Sequence, residues 1–180
     1  MKKLRDMNLD KYQKEPYPDS QARQGVIDTL NEKGVTMKVI AKEALEGQKK
    51  FNPSLDMDIM LAGLNDVLQK REVVNALMVG LSIDKMATQG LLPEPLQSIM
   101  VSDKANMGVD ETLAMSVVAI FGSVADMQLG SLDLHKHSIA KYLDELDDGS
   151  VNTMIDDLCS ALISATEAKV MNALTVDEDV

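Results

Sequence analysis

The sequence predicts an all-α protein, a single compact domain of about seven to nine helices, and three observations lead there. Its apolar content is carried by Leu, Ala, Val and 13 Met, with no Trp and aromatics at 3%, a balance that favours helices over strands. Apolar residues recur at helical spacing through long stretches. Ser, Thr, Asn, Gly and Pro fall where helices start and stop. At 180 residues and 45% hydrophobic there is material for one core, and a second domain is not needed.

Taken in order, residues 1–19 mix charges with Tyr12, Pro16, Tyr17 and Pro18 and show no sustained period, so they read as a flexible arm ahead of a helical domain over 20–175. Ser20 is placed to cap a helix ending near Gly34. Thr36 is placed to cap a second, with Val39, Ile40, Ala44 and Leu45 on one side. After the Asn52-Pro53-Ser54 turn, Ile59, Leu61, Leu64, Val67 and Leu68 lead into Val73, Val74, Leu77 and Met78, a long helical pattern that ends before Gly80 and should cross the core. Ser82 to Gly90 reads as a short helix with a cap signal at each end. Pro93-Glu94-Pro95 starts another through Leu96, Ile99 and Met100. The Gly108 helix follows. Ser131 is expected to cap a helix to about Asp147, Asp148-Gly149-Ser150 to form a turn, and Asn152 or Thr153 to cap a last helix reaching roughly Leu174.

Charge removes several function classes. A formal net charge of −11 argues against nucleic acid, whose phosphates are bound by clustered Lys and Arg, and against adsorption to an anionic bilayer. A single cysteine, Cys159, rules out an intrachain disulfide and fits a reducing, cytoplasmic setting. The basic start Met1-Lys2-Lys3 is followed by polar residues, so no secretory signal is expected. The charge-free run from Thr112 to Ala125 is shorter than the roughly 20 residues a membrane helix needs.

Two acid pairs carry the functional signal. Asp110-Glu111 and Asp156-Asp157 each open a helix-like stretch otherwise free of charge for ten residues or so. An acid in the first turn is favoured by the free N–H groups and the macrodipole there, worth roughly 0.3–1 kcal/mol, and Thr153 with Asp156 resembles a capping box. That accounts for one acid at each start. The second acid points about 100° further round the helix, and a carboxylate against an apolar interior needs a partner, a proton or a metal. Hard carboxylate oxygens suit Mg²⁺ or Mn²⁺, which bind phosphate oxygens and activate water. Lys70 and Arg71 are candidate phosphate-binding cations, although a solvated face is an ordinary role for both. His135 and His137, two apart on a helix, turn away from each other. Cys159 among Leu158, Leu162 and Ile163 reads as a buried thiol without reactivity. The chain has no Gly-rich phosphate loop, Rossmann fingerprint, nucleophile elbow or zinc-spaced His-Glu motif.

At these residues the sequence resembles the phosphatidylglycerophosphatase A family, in particular its soluble, low-temperature-requirement C type branch. The resemblance runs from about Gln21 to Val170. The family's Met-Ile-Asp-Asp motif stands as Met154-Ile155-Asp156-Asp157, and its Asp-Glu helix start as Asp110-Glu111. Its Leu-Asp-x-x-Lys segment resembles Leu132-Asp133-Leu134-His135-Lys136, with Asp144 matching a later acid. The soluble branch is matched by Lys70 to Ala76 and Leu92 to Gln97. The membrane-bound members carry Gly-Thr-x-Gly-Ser where Ala87-Thr88-Gln89-Gly90 stands here.

The resemblance implies a Mg²⁺-dependent phosphatase, with Mn²⁺ as a possible substitute ion, that converts phosphatidylglycerophosphate to phosphatidylglycerol or acts on a more soluble phosphate ester. Asp110, Glu111, Asp156 and Asp157 are then the metal-site acids, Asp133 and Asp157 the catalytic ones, and Lys136, with Lys70 and Arg71, the phosphate-binding cations. It also implies a homo-dimer or homo-tetramer, which the Met-rich amphipathic helices suit, and a cytoplasmic protein with at most transient contact with the inner face of the membrane. The alternative is a non-catalytic helical oligomer whose acids only cap helices. An all-α nucleotide pyrophosphohydrolase is disfavoured, because the chain lacks a Glu-Glu-x-x-Glu helix.

Overall fold

The computed structural model describes residues 15–103, 107–134 and 138–177. Among them are nine α-helices and no strand, as the composition predicts: α1 (Asp19–Glu32), α2 (Met37–Lys49), α3 (Met57–Val67), α4 (Arg71–Thr88), α5 (Leu96–Val101), α6 (Val109–Val118), α7 (Ser123–Leu134), α8 (Ser138–Asp144) and α9 (Ile155–Asp177). A 3-10 turn, Ala119–Phe121, joins α6 to α7. No helix among the described residues is long and apolar enough to cross a membrane.

The core is organised around α9. From Thr153 to Ala168 every residue is buried except Asp156 and Asp157, and α2, α3, α4, α6, α7 and α8 all pack against this helix. A helix buried on every side has to satisfy its own polar groups. Ser164 and Thr166 do so by donating to the carbonyls of Ser160 (2.9 Å) and Leu162 (2.7 Å). Close approach also needs glycine. A Cβ on Gly63 of α3 would lie 2.4 Å from Val170 Cγ2, and one on Gly80 of α4 would lie 2.5 Å from Leu158 Cδ1 and 3.0 Å from Leu113 Cδ2.

Several boundaries differ from those read in the sequence. The pattern from Ile59 to Met78 is two helices, because the amides of Gln69 and Lys70 bond back three residues to Asp66 and Val67 and close a tight turn. One helix over 57–88 would run about 48 Å and could not lay one apolar stripe on α2 and α9 and the other on α1. The expected helix Ser82 to Gly90 is instead the second half of α4: Gly80 is interior, required by the packing of Leu158 and Leu113. Ser131 lies inside α7 rather than capping a helix. Pro18, not Ser20, precedes α1. Thr36 does cap α2, accepting from the Val39 amide at 3.3 Å. Of the expected N-terminal arm, residues 1–14 lie outside the described residues. Its end is strapped to α4, where Tyr17 donates to Asn75 and Asp19 pairs with Arg71.

Candidate metal centre

Gly108, in the left-handed region at φ 70°, turns the chain into α6, and Thr112 ties its hydroxyl back to the Gly108 carbonyl. Asp110 and Glu111 therefore occupy the first turn of α6, as Asp156 and Asp157 occupy that of α9. These two helices pack together over a long face, and Leu113 and Leu158 meet over Gly80 of α4. The packing brings the acids of separate helices to one place: Asp110, Glu111 and Asp157 each offer a carboxylate oxygen, all within 4.8 Å of one another. Asp110 Oδ1 is buried and finds no hydrogen-bond partner among the described residues.

Such an arrangement is costly by itself, since like charges a few ångströms apart repel and a buried acceptor without a donor loses its hydration. A divalent cation answers both costs. Three hard oxygens on a half-open surface, with a buried and unpartnered oxygen on one of the three acids, suit a hard divalent cation, which takes some of its ligands from protein and keeps others for water. Beside them runs a mainly apolar groove of about 200 Å³, walled by Ala114 and Met115 of α6 and Leu129 and Gly130 of α7, with Glu111, Asp126 and Asp157 also lining it.

Asp156 is not one of the three. Adjacent to Asp157 but turned round the helix axis, its carboxyl is pushed up to about 8, first by burial and then by the charge of Asp157, with Asp144 and Asp103 adding to it. Its Oδ1 is also buried and without a hydrogen-bond partner among the described residues. Arg71 is engaged elsewhere. Its Nε and Nη2 donate to the two carboxylate oxygens of Asp19 at 2.8 Å each, and its guanidinium lies 4.2 Å from the Tyr17 ring centroid. Lys70, next to it, precedes the first turn of α4, ten residues or about 15 Å along the axis from Gly80. The structure does not bring this cation pair to the three acids. Asp133 lies in the last turn of α7, its side chain outside what is described, and Lys136 falls outside the described residues with His135 and His137. Cys159 is fully buried, and burial raises its thiol, so it stays protonated.

Three further buried acids escaped sequence reasoning. Asp84 of α4 accepts from the amides of Met154 (3.1 Å to each oxygen) and Ile155 (2.9 Å) and so caps α9 from another helix, while burial lifts its carboxyl to about 7. Glu43 of α2 does the same for α8, accepting from Ser138 and from the Ile139 amide at 3.0 Å. Burial raises its carboxyl too. Glu167 of α9 accepts from Gln48 at 3.0 Å and is raised by burial to about 7. A signal did exist for Asp84, which follows Leu81 and Leu77 at three and seven residues and so falls on the buried stripe.

The family model for phosphatidylglycerophosphatase A matches residues 38–172, three quarters of the chain and both acid pairs. The chain belongs to the phosphatidylglycerophosphatase A family. Among relatives, it is 38% identical over 143 residues to the uncharacterised protein YpjQ of Bacillus subtilis, covering 79% of this chain and 80% of that one. Among solved structures, the low temperature requirement C protein of Listeria monocytogenes superposes with a TM-score of 0.83 at 36% identity, over 87% of this chain and 99% of that one. A Bacillus stearothermophilus protein of unknown function gives 0.81 at 38% identity, over 84% and 99%. The phosphatidylglycerophosphatase A match begins inside α2, so α1 and the strap to α4 lie outside it, whereas Glu43, Asp84 and the three convergent acids lie inside.

Proposed function

We propose that this chain is a divalent-metal-dependent phosphoric monoester hydrolase that removes the terminal phosphate of phosphatidylglycerophosphate. The observation that supports this most is the convergence of Asp110, Glu111 and Asp157 from two helices, with one buried oxygen left for an ion. Family membership supplies the substrate class.

In this reading Asp110, Glu111 and Asp157 hold the ion by one oxygen each. When bound, Mg²⁺ supplies Lewis-acid polarisation of a phosphate oxygen and a more acidic water. The apolar groove along Ala114, Met115 and Leu129 takes the less polar part of the ester, which orients the phosphate toward the acids and limits access of water from that side. Asp133, at the end of α7, is assigned proton transfer, and Lys136 charge neutralisation at the phosphate, both from the family resemblance. Water attacks phosphorus directly and the alcohol leaves with a proton. No helix among the described residues is long and apolar enough to cross a membrane, and in this reading a lipid substrate is met by transient contact with the membrane surface.

The test is phosphate release from phosphatidylglycerophosphate in mixed micelles and from soluble esters such as glycerol 3-phosphate, with Mg²⁺ or with chelator. Mg²⁺-dependent turnover, abolished in Asp157→Asn and greatest on the lipid, is the expected result. No turnover of any ester in the presence of Mg²⁺ or Mn²⁺ overturns the proposal.

A further inference from the structure

At the start of α9 the loop's own capping candidates are engaged elsewhere. Thr153, placed to cap it, instead donates its hydroxyl to the Met100 carbonyl at 2.9 Å, and Asn152 donates to the Leu143 carbonyl at 3.1 Å. The amides that open the helix are held from α4. Asp84 takes those of Met154 and Ile155, and Thr88, one turn further on, takes that of Val151 at 2.9 Å while donating to the Asp84 carbonyl at 2.8 Å. One turn before Asp84 on the same face lies Gly80, against which Leu158 of α9 and Leu113 of α6 both rest. Residues spaced by four lie on one stripe of a helix. The stripe Gly80, Asp84, Thr88 thus touches both helices that carry the convergent acids, and touches each within one turn of them.

We propose that Asp84, seconded by Thr88, is the positioning residue of the metal centre: by gripping the first amides of α9 from α4 it sets the axial position and rotation of the turn that carries Asp157, relative to Asp110 and Glu111. The proposal rests on the metal-centre reading above. A cap within the local loop would move with α9; a cap on α4 does not, because α4 also seats α6 through Leu113. A shift of about 1 Å in one carboxylate spoils a coordination sphere whose distances are held within tenths of an ångström, and outer-shell partners of metal ligands typically govern affinity by 10–100-fold.

Glu43 provides the control. It caps α8 from α2 by the same chemistry, a buried carboxylate on another helix's first amide, but α8 carries none of the three acids. Mn²⁺ binding to the full chain is measured by titration calorimetry for wild type, Asp84→Ala, Asp84→Asn, Thr88→Val and Glu43→Gln, at a temperature where circular dichroism shows each folded. The expected result is a Kd raised at least tenfold by Asp84→Ala, less by Asp84→Asn and Thr88→Val, and unchanged within twofold by Glu43→Gln although its thermal midpoint falls. If Asp84→Ala does not fold, Asp84→Asn against Glu43→Gln decides the matter. An unchanged Kd in the Asp84 variants, or an equal loss in Glu43→Gln, overturns the positioning role and leaves the metal centre standing. Absence of Mn²⁺ binding by wild type overturns the metal centre itself, and this inference with it.

Discussion

Replacing Asp157 by Asn should move stability in opposite directions with and without metal. Without metal, Asp157 shares a 4.8 Å neighbourhood with Asp110 and Glu111. Two unit charges at that separation repel by about 0.9 kcal/mol at the dielectric of water and by several-fold more when partly shielded from it. Two such pairs give roughly 2 kcal/mol of repulsion, from which the loss of a favourable charge in the first turn of α9, about 0.3–1 kcal/mol, is subtracted. The metal-free variant therefore gains about 1 kcal/mol, a rise of roughly 2–4 °C in Tm for a domain of this size. With metal the sign reverses. Mg²⁺ at a hundred times its Kd stabilises wild type by about 2.7 kcal/mol, a rise of roughly 5–10 °C, and the variant should lose most of it. Differential scanning fluorimetry in chelator and in a Mg²⁺ series reads both limbs. If Asp157→Asn lowers Tm in chelator and keeps the full response to Mg²⁺, the acids only cap their helices and the site reasoning fails.

Stability of the metal-free chain should also fall as pH rises. Asp84 and Glu167 have folded-state values of about 7, above the ordinary 3.8 and 4.5, so their contribution is fully present below about pH 4 and is lost as pH climbs through 7. Chemical unfolding in chelator should show a drop on the order of a few kcal/mol between pH 5 and pH 8.5, and a flat or rising profile contradicts the buried-acid assignment. Gly47→Ala should destabilise although it sits in a helix, where the exchange ordinarily gains up to about 1 kcal/mol. The new Cβ would stand 2.2 Å from Glu167 Oε1, and displacing a buried carboxylate costs about 1–3 kcal/mol. A raised thermal midpoint in that variant would count against the packing described.

Much of the fold was legible because it is local. Helix content follows from side chains that lose little freedom in a helix and from apolar residues repeating near every 3.6 positions, and Thr36, Gly108 and Asp148-Gly149-Ser150 act on their immediate neighbours. What misled was of the same kind. Gly80 looks like a terminator until Leu158 and Leu113 claim its missing Cβ, and Thr153 looks like a cap until its hydroxyl is drawn to the Met100 carbonyl.

The candidate site divides along the same line. The sequence by itself determined that acids stand in the first turns of two helices and are followed there by uncharged stretches of about ten residues, since that is a matter of order along the chain. Which of those acids meet was decided only by tertiary structure: neighbours on a helix diverge by about 100°, so the rotation of α9 about its own axis determines that Asp157 joins Asp110 and Glu111 while Asp156, with a buried oxygen, stands outside that cluster. That rotation is set by side chains far away in sequence, by Asp84 on two backbone amides and by Leu158 against Gly80, and no local pattern around residue 156 contains them.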